Sequence, residues 1–263
     1  MSRKPKFACI TGATSGIGAA FARRFASEGY ALFLTGRRKD KIQSLAEEIS
    51  KKYRVEADVE IVELSDMGQL EALALKLSRM KNLEFLVNNA GFGAVGFFHR
   101  EDFSTHEKML KVHCLATIKI THAVLPNMIA EGRGKIINVS SLSAFSPFPT
   151  NAVYAASKSF ILLFSESIHL ELQGTGVKIQ ALCPGIARTD FHERAGYDRK
   201  KIYRDKGLLR AMSAEEVVDI SLKCLEKEKP LCIPGCNNKF IAALHKILPK
   251  SVTYRMALKM MRA

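Results

Sequence analysis

Three residues stand at a spacing that can move a proton. Ser141 lies thirteen residues before Tyr154, and Lys158 follows the tyrosine by four. Four residues are about one helical turn, so a helix over 154–170 puts the phenol and the ammonium on one face. A phenol with an ordinary pKa near 10 is a poor base at neutral pH. A neighbouring cation favours the phenolate and brings it toward the working range. The Ser141 hydroxyl can donate to an oxygen on which negative charge develops.

A second group of residues could hold a phosphorylated ligand. The segment Thr11-Gly12-Ala13-Thr14-Ser15-Gly16-Ile17-Gly18 follows an apolar run and opens a helical pattern. In that context Gly12 permits a sharp turn, Gly16 lets backbone approach a pyrophosphate, and Gly18 lets helix pack closely on strand. The helix N-terminus offers unpaired amides to the anion. The next apolar run ends Leu34-Thr35-Gly36-Arg37-Arg38. A free ribose 2′-hydroxyl calls for Asp or Glu at this place, whereas a 2′-phosphate calls for cations. Gly36 with Arg37 and Arg38 predicts NADP(H) rather than NAD(H).

These residues need a scaffold that gathers positions 11–18, 37–38 and 141–158. Apolar runs at 7–10, 31–34, 55–62, 85–87, 135–139, 177–182 and 231–233 alternate with amphipathic segments. Ile17, Phe21 and Phe25 are spaced by four, and on the next segment Ile42, Leu45 and Ile49 keep a helical period. Strands separated by helix-length connections imply parallel pairing through βαβ crossovers. The expectation is one α/β domain, a doubly wound Rossmann sheet of seven parallel strands with about six helices on its two faces. Near-continuous apolar strands suit a sheet covered on both sides.

With the elements in place, the motifs resemble those of the short-chain dehydrogenase/reductase family, in its branch of about 250 residues. The resemblance runs over 6–235 and rests on TGATSGIG at 11–18, NNAG at 88–91, the Ser141/Tyr154/Lys158 spacing, and Pro184-Gly185-Ile186-Ala187-Arg188-Thr189. The helix and tail details look most like the bacterial DltE-like group. The resemblance implies that Gly12, Ala13, Thr14, Ser15, Gly16, Ile17 and Gly18 wrap the pyrophosphate and adenosine. It implies that Arg37 holds the 2′-phosphate with Arg38 assisting, and that Asn89, Ala90 and Gly91 lie along the cofactor. Tyr154 would transfer the proton, and Lys158 would bind the nicotinamide ribose and tune the tyrosine. Pro184, Gly185, Ala187 and Thr189 would border the nicotinamide, the last two at its carboxamide. Ser141 is preferred to Ser140 for its spacing to the tyrosine.

Two positions depart from the family pattern. His113 stands where Asn is usual, at a place whose backbone carbonyl holds a water of the proton relay; that carbonyl survives the change. Glu63, followed by Leu64, replaces the Asp that commonly caps the adenine amino group and keeps an acceptor there. The implied activity is reduction of a carbonyl, or oxidation of an alcohol, with NADPH as the preferred cofactor. A non-catalytic NADPH-binding sensor or interaction protein is the competing class. Family members commonly pair subunits, which implies a homodimer or homotetramer.

Composition narrows the remaining classes. The chain has 263 residues, 47% of them apolar and 25% charged, enough for one full core. No apolar run reaches the roughly 18 residues that span a bilayer. The opening MSRKPKF lacks the apolar stretch of a secretion signal, and six cysteines show neither CxxC pairs nor zinc spacing. A reduced, cytoplasmic protein without a metal site is expected. The net charge of +14 is concentrated. Residues 231–263 carry six Lys/Arg and no acid, and 193–210 carry seven basic residues against three acidic. No nucleic-acid signature accompanies this charge.

The sequence therefore divides into a cofactor-binding and catalytic domain at 1–236, with a lid at about 190–212, and a basic amphipathic extension at 237–263. Within the extension, Phe240, Ile241, Leu244, Ile247 and Leu248 predict an amphipathic helix over 239–248 that Pro249 interrupts. Tyr254, Leu258 and Met261 continue the stripe beside Arg255, Lys259 and Arg262. Three contacts are open to it: the subunit's own core, a second subunit, or an anionic membrane surface met by 239–262.

Overall fold

The computed structural model describes residues 6–198, 202–205, 207 and 210–262, with backbone alone for 259–262. Among the described residues seven strands form one parallel sheet. They are β1 (Phe7–Thr11), β2 (Ala31–Gly36), β3 (Ala57–Ile61), β4 (Leu83–Asn88), β5 (Gly134–Val139), β6 (Val177–Leu182) and β7 (Leu231–Cys232). Their order is β3-β2-β1-β4-β5-β6-β7. The chain reverses its winding between β1 and β4, the crevice where ligands of open α/β sheets bind. Central strands read apolar throughout because helices cover both faces; β2 keeps its first five residues buried.

The helices are α1 (Gly16–Ser27), α2 (Lys39–Tyr53), α3 (Met67–Ser78), α4 (Phe103–Leu110), α5 (Ala116–Ala130), α6 (Ala152–Glu171), α7 (Asp190–Arg194), α8 (Ala214–Glu226), α9 (Cys236–Ile247) and α10 (Lys250–Arg262). One core layer joins Phe21 and Phe25 of α1, Ile42 and Ile49 of α2, and Val217 and Leu222 of α8. The opposite layer joins Leu70, Leu73 and Leu77 of α3 with Ile120, Val124 and Met128 of α5. Local chemistry sets the ends. Asp66 caps α3 by accepting from Gly68 N and Gln69 N at 2.9 and 3.0 Å. Ser213 and Glu216 close a capping box on α8.

The described helices exceed the six that periodicity predicts. The additions within the domain are short α4 and α7, which hold too few apolar repeats to display a period; the two helices of the extension break at Pro249, where the apolar stripe predicts an interruption. The extension also turns differently from its predicted stripe. Phe240 and Ile247 are 60% and 81% exposed, whereas Asn238, Ala242, Thr253 and Ala257 are buried. The reason lies at the start of α9, where the Asn238 amide donates to Pro234 O at 2.6 Å and packs on Gly185. Such close approach admits only small or internally bonded side chains. The side chains of Lys259, Met261 and Arg262 lie outside the described residues, as do Arg199, Lys200, Lys201 and Lys206 of the basic lid segment.

Candidate active site

The crevice between β1 and β4 is stitched by Thr11 and Asn89. Thr11 Oγ1 accepts from the amides of Asn89 and Ala90 at 3.0 and 3.1 Å. The Asn89 side-chain amide donates to Thr11 O and Gly12 O at 3.1 and 3.0 Å. Gly12 has φ +66°, and a Cβ there would come within 2.7 Å of Ala90 Cα. Gly16 has φ +58° and lies under the Thr189 side chain. Both positions demand glycine, and the result is a backbone cradle. Ser15 begins α1 without a side-chain cap, so the first-turn amides remain for a ligand. This cradle fits a dinucleotide pyrophosphate.

Guanidinium groups gather at the ribose end of the cradle. Arg38 lies on the glycine turn, donating to Thr14 Oγ1 through Nε at 3.1 Å and to Ser15 Oγ at 2.8 Å. Arg37 points outward, with 62% of its side chain exposed, and pairs with Glu63 at 3.4 Å. Glu63 also accepts from Ser65 N and Oγ at 3.1 and 2.9 Å, which holds its carboxylate below the usual range against the effect of burial. Leu64 packs in the core with Val62 and Leu70. Burial, then the charges of Arg194 and Arg37, lowers the Arg38 pKa from its ordinary value.

The proton-handling residues meet across the C-terminal ends of β4, β5 and β6. Ser141 begins a 3-10 turn, Leu142–Phe145, and its Oγ accepts from Ser143 N at 3.1 Å. Ser140 is spent structurally, donating to Lys158 O at 2.7 Å. Tyr154 and Lys158 are one turn apart near the start of α6. The buried Lys158 ammonium donates to Val139 O at 2.8 Å and lies 5.7 Å from the Tyr154 ring centre. Burial pushes Lys158 down to about 8. Burial also pushes Tyr154 up to about 12, while a hydrogen bond with the Ser141 hydroxyl pulls the other way. Burial and the Ser141 hydrogen bond thus act on the phenol in opposite directions, and burial is the larger.

His113 lies in a wide π-turn, Lys111–Leu115, between α4 and α5. Such turns shift the helical ladder and occur often at functional sites. The imidazole Nε2 accepts from Phe92 N at 3.1 Å, which assigns the proton to Nδ1, 2.9 Å from Ser157 Oγ. Ser157 in turn donates to Tyr154 O at 2.7 Å. His113 therefore ties the loop after β4, where Gly91 packs on its ring, to the helix carrying Tyr154. Burial, then the Lys158 ammonium, holds its pKa well below 6.5.

That shift has a sign. The unfolded imidazole takes up a proton near 6.5 and the folded one does not, so stability is lost as pH falls below about 6.5, at about 1.4 kcal/mol per pH unit. His113→Asn should remove this component and keep turnover within about tenfold, because the side chain orients backbone rather than substrate. Urea unfolding at neutral and mildly acidic pH checks it: equal acid sensitivity in both proteins contradicts the assignment.

The remaining expected residues border the site. Pro184 O accepts from Leu142 N at 2.8 Å, and Gly185 is covered by Asn238. Ala187 is buried and bridges to Met212. Thr189 caps α7, accepting from Phe191 N at 3.3 Å. A small open cleft lies beside Tyr154, lined by Ala94, Phe98, His106, Met109 and Asn151. Three further participants lie beyond the sequence reading. Ser157 was legible in principle, three residues from Tyr154 on one helical face. Phe191, whose ring lies 5.8 Å from that of Tyr154, and Arg194, which donates to Ser15 Oγ at 3.2 Å, meet partners too distant in sequence for any spacing rule.

Comparison with known proteins agrees with this architecture. The sequence pattern described as short chain dehydrogenase matches residues 6–200. Sulfoacetaldehyde reductase 2 of Chromohalobacter salexigens is 37% identical over 216 residues, covering 80% of this chain and 85% of that protein. Among solved structures, a short-chain dehydrogenase from Sphingobium yanoikuyae in complex with NADPH has TM-score 0.83 and 28% identity, covering 93% of this chain and 96% of that one. The bulky-bulky ketone specific alcohol dehydrogenase from Comamonas testosteroni has TM-score 0.78 and 26% identity, covering 95% and 97%. With its glycine cradle, its switch-point crevice and the match over 6–200, the chain belongs to the short-chain dehydrogenase/reductase family of oxidoreductases.

Proposed function

We propose that the protein is an NADPH-dependent carbonyl reductase acting on a small-molecule aldehyde or ketone. The observation that carries this reading is Tyr154 one helical turn from a buried Lys158, at one end of a cradle whose other end gathers guanidinium groups. The nicotinamide, when bound, supplies the hydride. Ser141 donates to the substrate oxygen, Tyr154 delivers a proton to it, and Lys158 holds the ribose. The relatives named as a reductase and as a ketone-specific dehydrogenase support a carbonyl substrate.

Loss of NADPH absorbance against a panel of aldehydes, ketones, sulfonated aldehydes and 3-oxoacyl thioesters tests the reading. Tight NADPH binding with no consumption across the panel would favour the sensor class. Two contacts complete the proposal. Exposed Phe160, Leu163 and Leu170 on α6 support a homodimer or homotetramer, and a monomer in sedimentation at micromolar concentration removes it. No described helix is long and apolar enough to cross a membrane. Outward Phe240 and Ile247 among acid-free basic residues support peripheral contact of 239–262 with an anionic membrane surface. Pelleting with anionic vesicles should occur at low salt and weaken at physiological salt. No pelleting at low salt ends that idea.

A further inference from the structure

The lid helix α7 reaches the glycine turn through one side chain. Arg194 Nη2 donates to Ser15 Oγ at 3.2 Å, and Arg38 Nη2 donates to the same oxygen at 2.8 Å. A single neutral hydroxyl thus sits between two guanidinium groups. Among the described residues neither forms an ion pair with a carboxylate. Asp190 meets Arg194 only through its backbone carbonyl, at 3.2 Å, and acts on Arg38 only through space. Two like charges on one hydroxyl repel, Asp190 offsets this only through space, and a phosphate between them would relieve the repulsion. The first turn of α1, with its uncapped amides, begins at the same serine.

The same short helix also touches the proton donor. Phe191 packs its ring 5.8 Å from that of Tyr154, and Gly93 is confined by Ala195 and Phe191. We propose that Arg194 is a further cofactor-binding residue, gripping with Arg38 a phosphate of the dinucleotide and thereby seating α7 on Tyr154. This rests on the dinucleotide reading of the site. The phosphate is either the 2′-phosphate or the pyrophosphate; both present the same acceptor oxygens to the two forks. A bound phosphate then holds α7 where Phe191 already packs against the catalytic tyrosine.

Calorimetric titration of wild type and Arg194→Gln with NADPH, 2′,5′-ADP and ADP separates the possibilities. 2′,5′-ADP carries the 2′-phosphate without a pyrophosphate, and ADP carries the reverse. Arg194→Gln should weaken NADPH by about 10- to 100-fold, the range for a lost charge-assisted contact. A loss confined to NADPH and 2′,5′-ADP places Arg194 on the 2′-phosphate; a loss with ADP as well places it on the pyrophosphate. Hydrogen exchange of 190–195 gives a second readout: NADPH should protect this segment in wild type and not in the variant. Unchanged affinities with equal protection overturn the proposal. If wild type binds 2′,5′-ADP no better than ADP, the NADPH reading fails, while the ADP titration still judges Arg194. Should the glutamine variant fold poorly, Arg194→Lys, which keeps charge and loses the fork, should bind NADPH with intermediate affinity; wild-type affinity in a folded lysine variant also counts against the clamp.

Discussion

Tyr154→Phe should bind NADPH with near-wild-type affinity and lose roughly 10²–10⁴-fold or more in kcat for carbonyl reduction. The phenol is the proposed proton source, and burial pushes its pKa up to about 12. Phenylalanine retains the ring that Phe191 and His113 pack against, so the effect should be confined to chemistry. Steady-state kinetics beside a cofactor titration checks it. A variant that turns over near the wild-type rate removes Tyr154 from the role.

Arg37→Gln/Arg38→Gln should lower the preference for NADPH over NADH by about 10²-fold or more, since charge-assisted contacts to a phosphate disappear while the ribose contacts remain. Most of the loss should come from Arg38. That side chain is fixed on Thr14 and Ser15, whereas Arg37 is largely exposed and shared with Glu63. Replacing Gly36 with Asp is a poorer route to the same end, because a Cβ there would come 2.7 Å from the Thr14 methyl. Cofactor titrations of both single variants decide the split. A larger effect from Arg37→Gln than from Arg38→Gln would restore the order that the sequence suggests.

The sheet was legible because each strand is a continuous apolar run, and the crossover spacing left little choice of topology. The glycine cradle and the Ser141–Tyr154–Lys158 set were legible because they are local or one helical turn apart. What escaped depended on contacts between distant segments. The rank of Arg37 and Arg38 turns on which one meets Thr14. The role of the His113 side chain turns on Phe92 N and Ser157, and that of Arg194 on a serine 179 residues away. In the extension the helix and its break at Pro249 were legible, and the buried face was not, for a related reason. Its helices show an apolar period, yet Asn238 packs on Gly185 and Ala242 is buried, while Phe240 and Ile247 lie outside.

The most direct measurement follows the hydride itself. NADPH doubly deuterated at the nicotinamide C4 should give an alcohol product labelled at the former carbonyl carbon, with one deuterium per cofactor oxidised and no label in the Tyr154→Phe reaction above background. Mass spectrometry of the product reads this for any carbonyl that the wild-type enzyme consumes. An unlabelled alcohol, or bound NADPH that stays reduced with every carbonyl offered, would contradict the account.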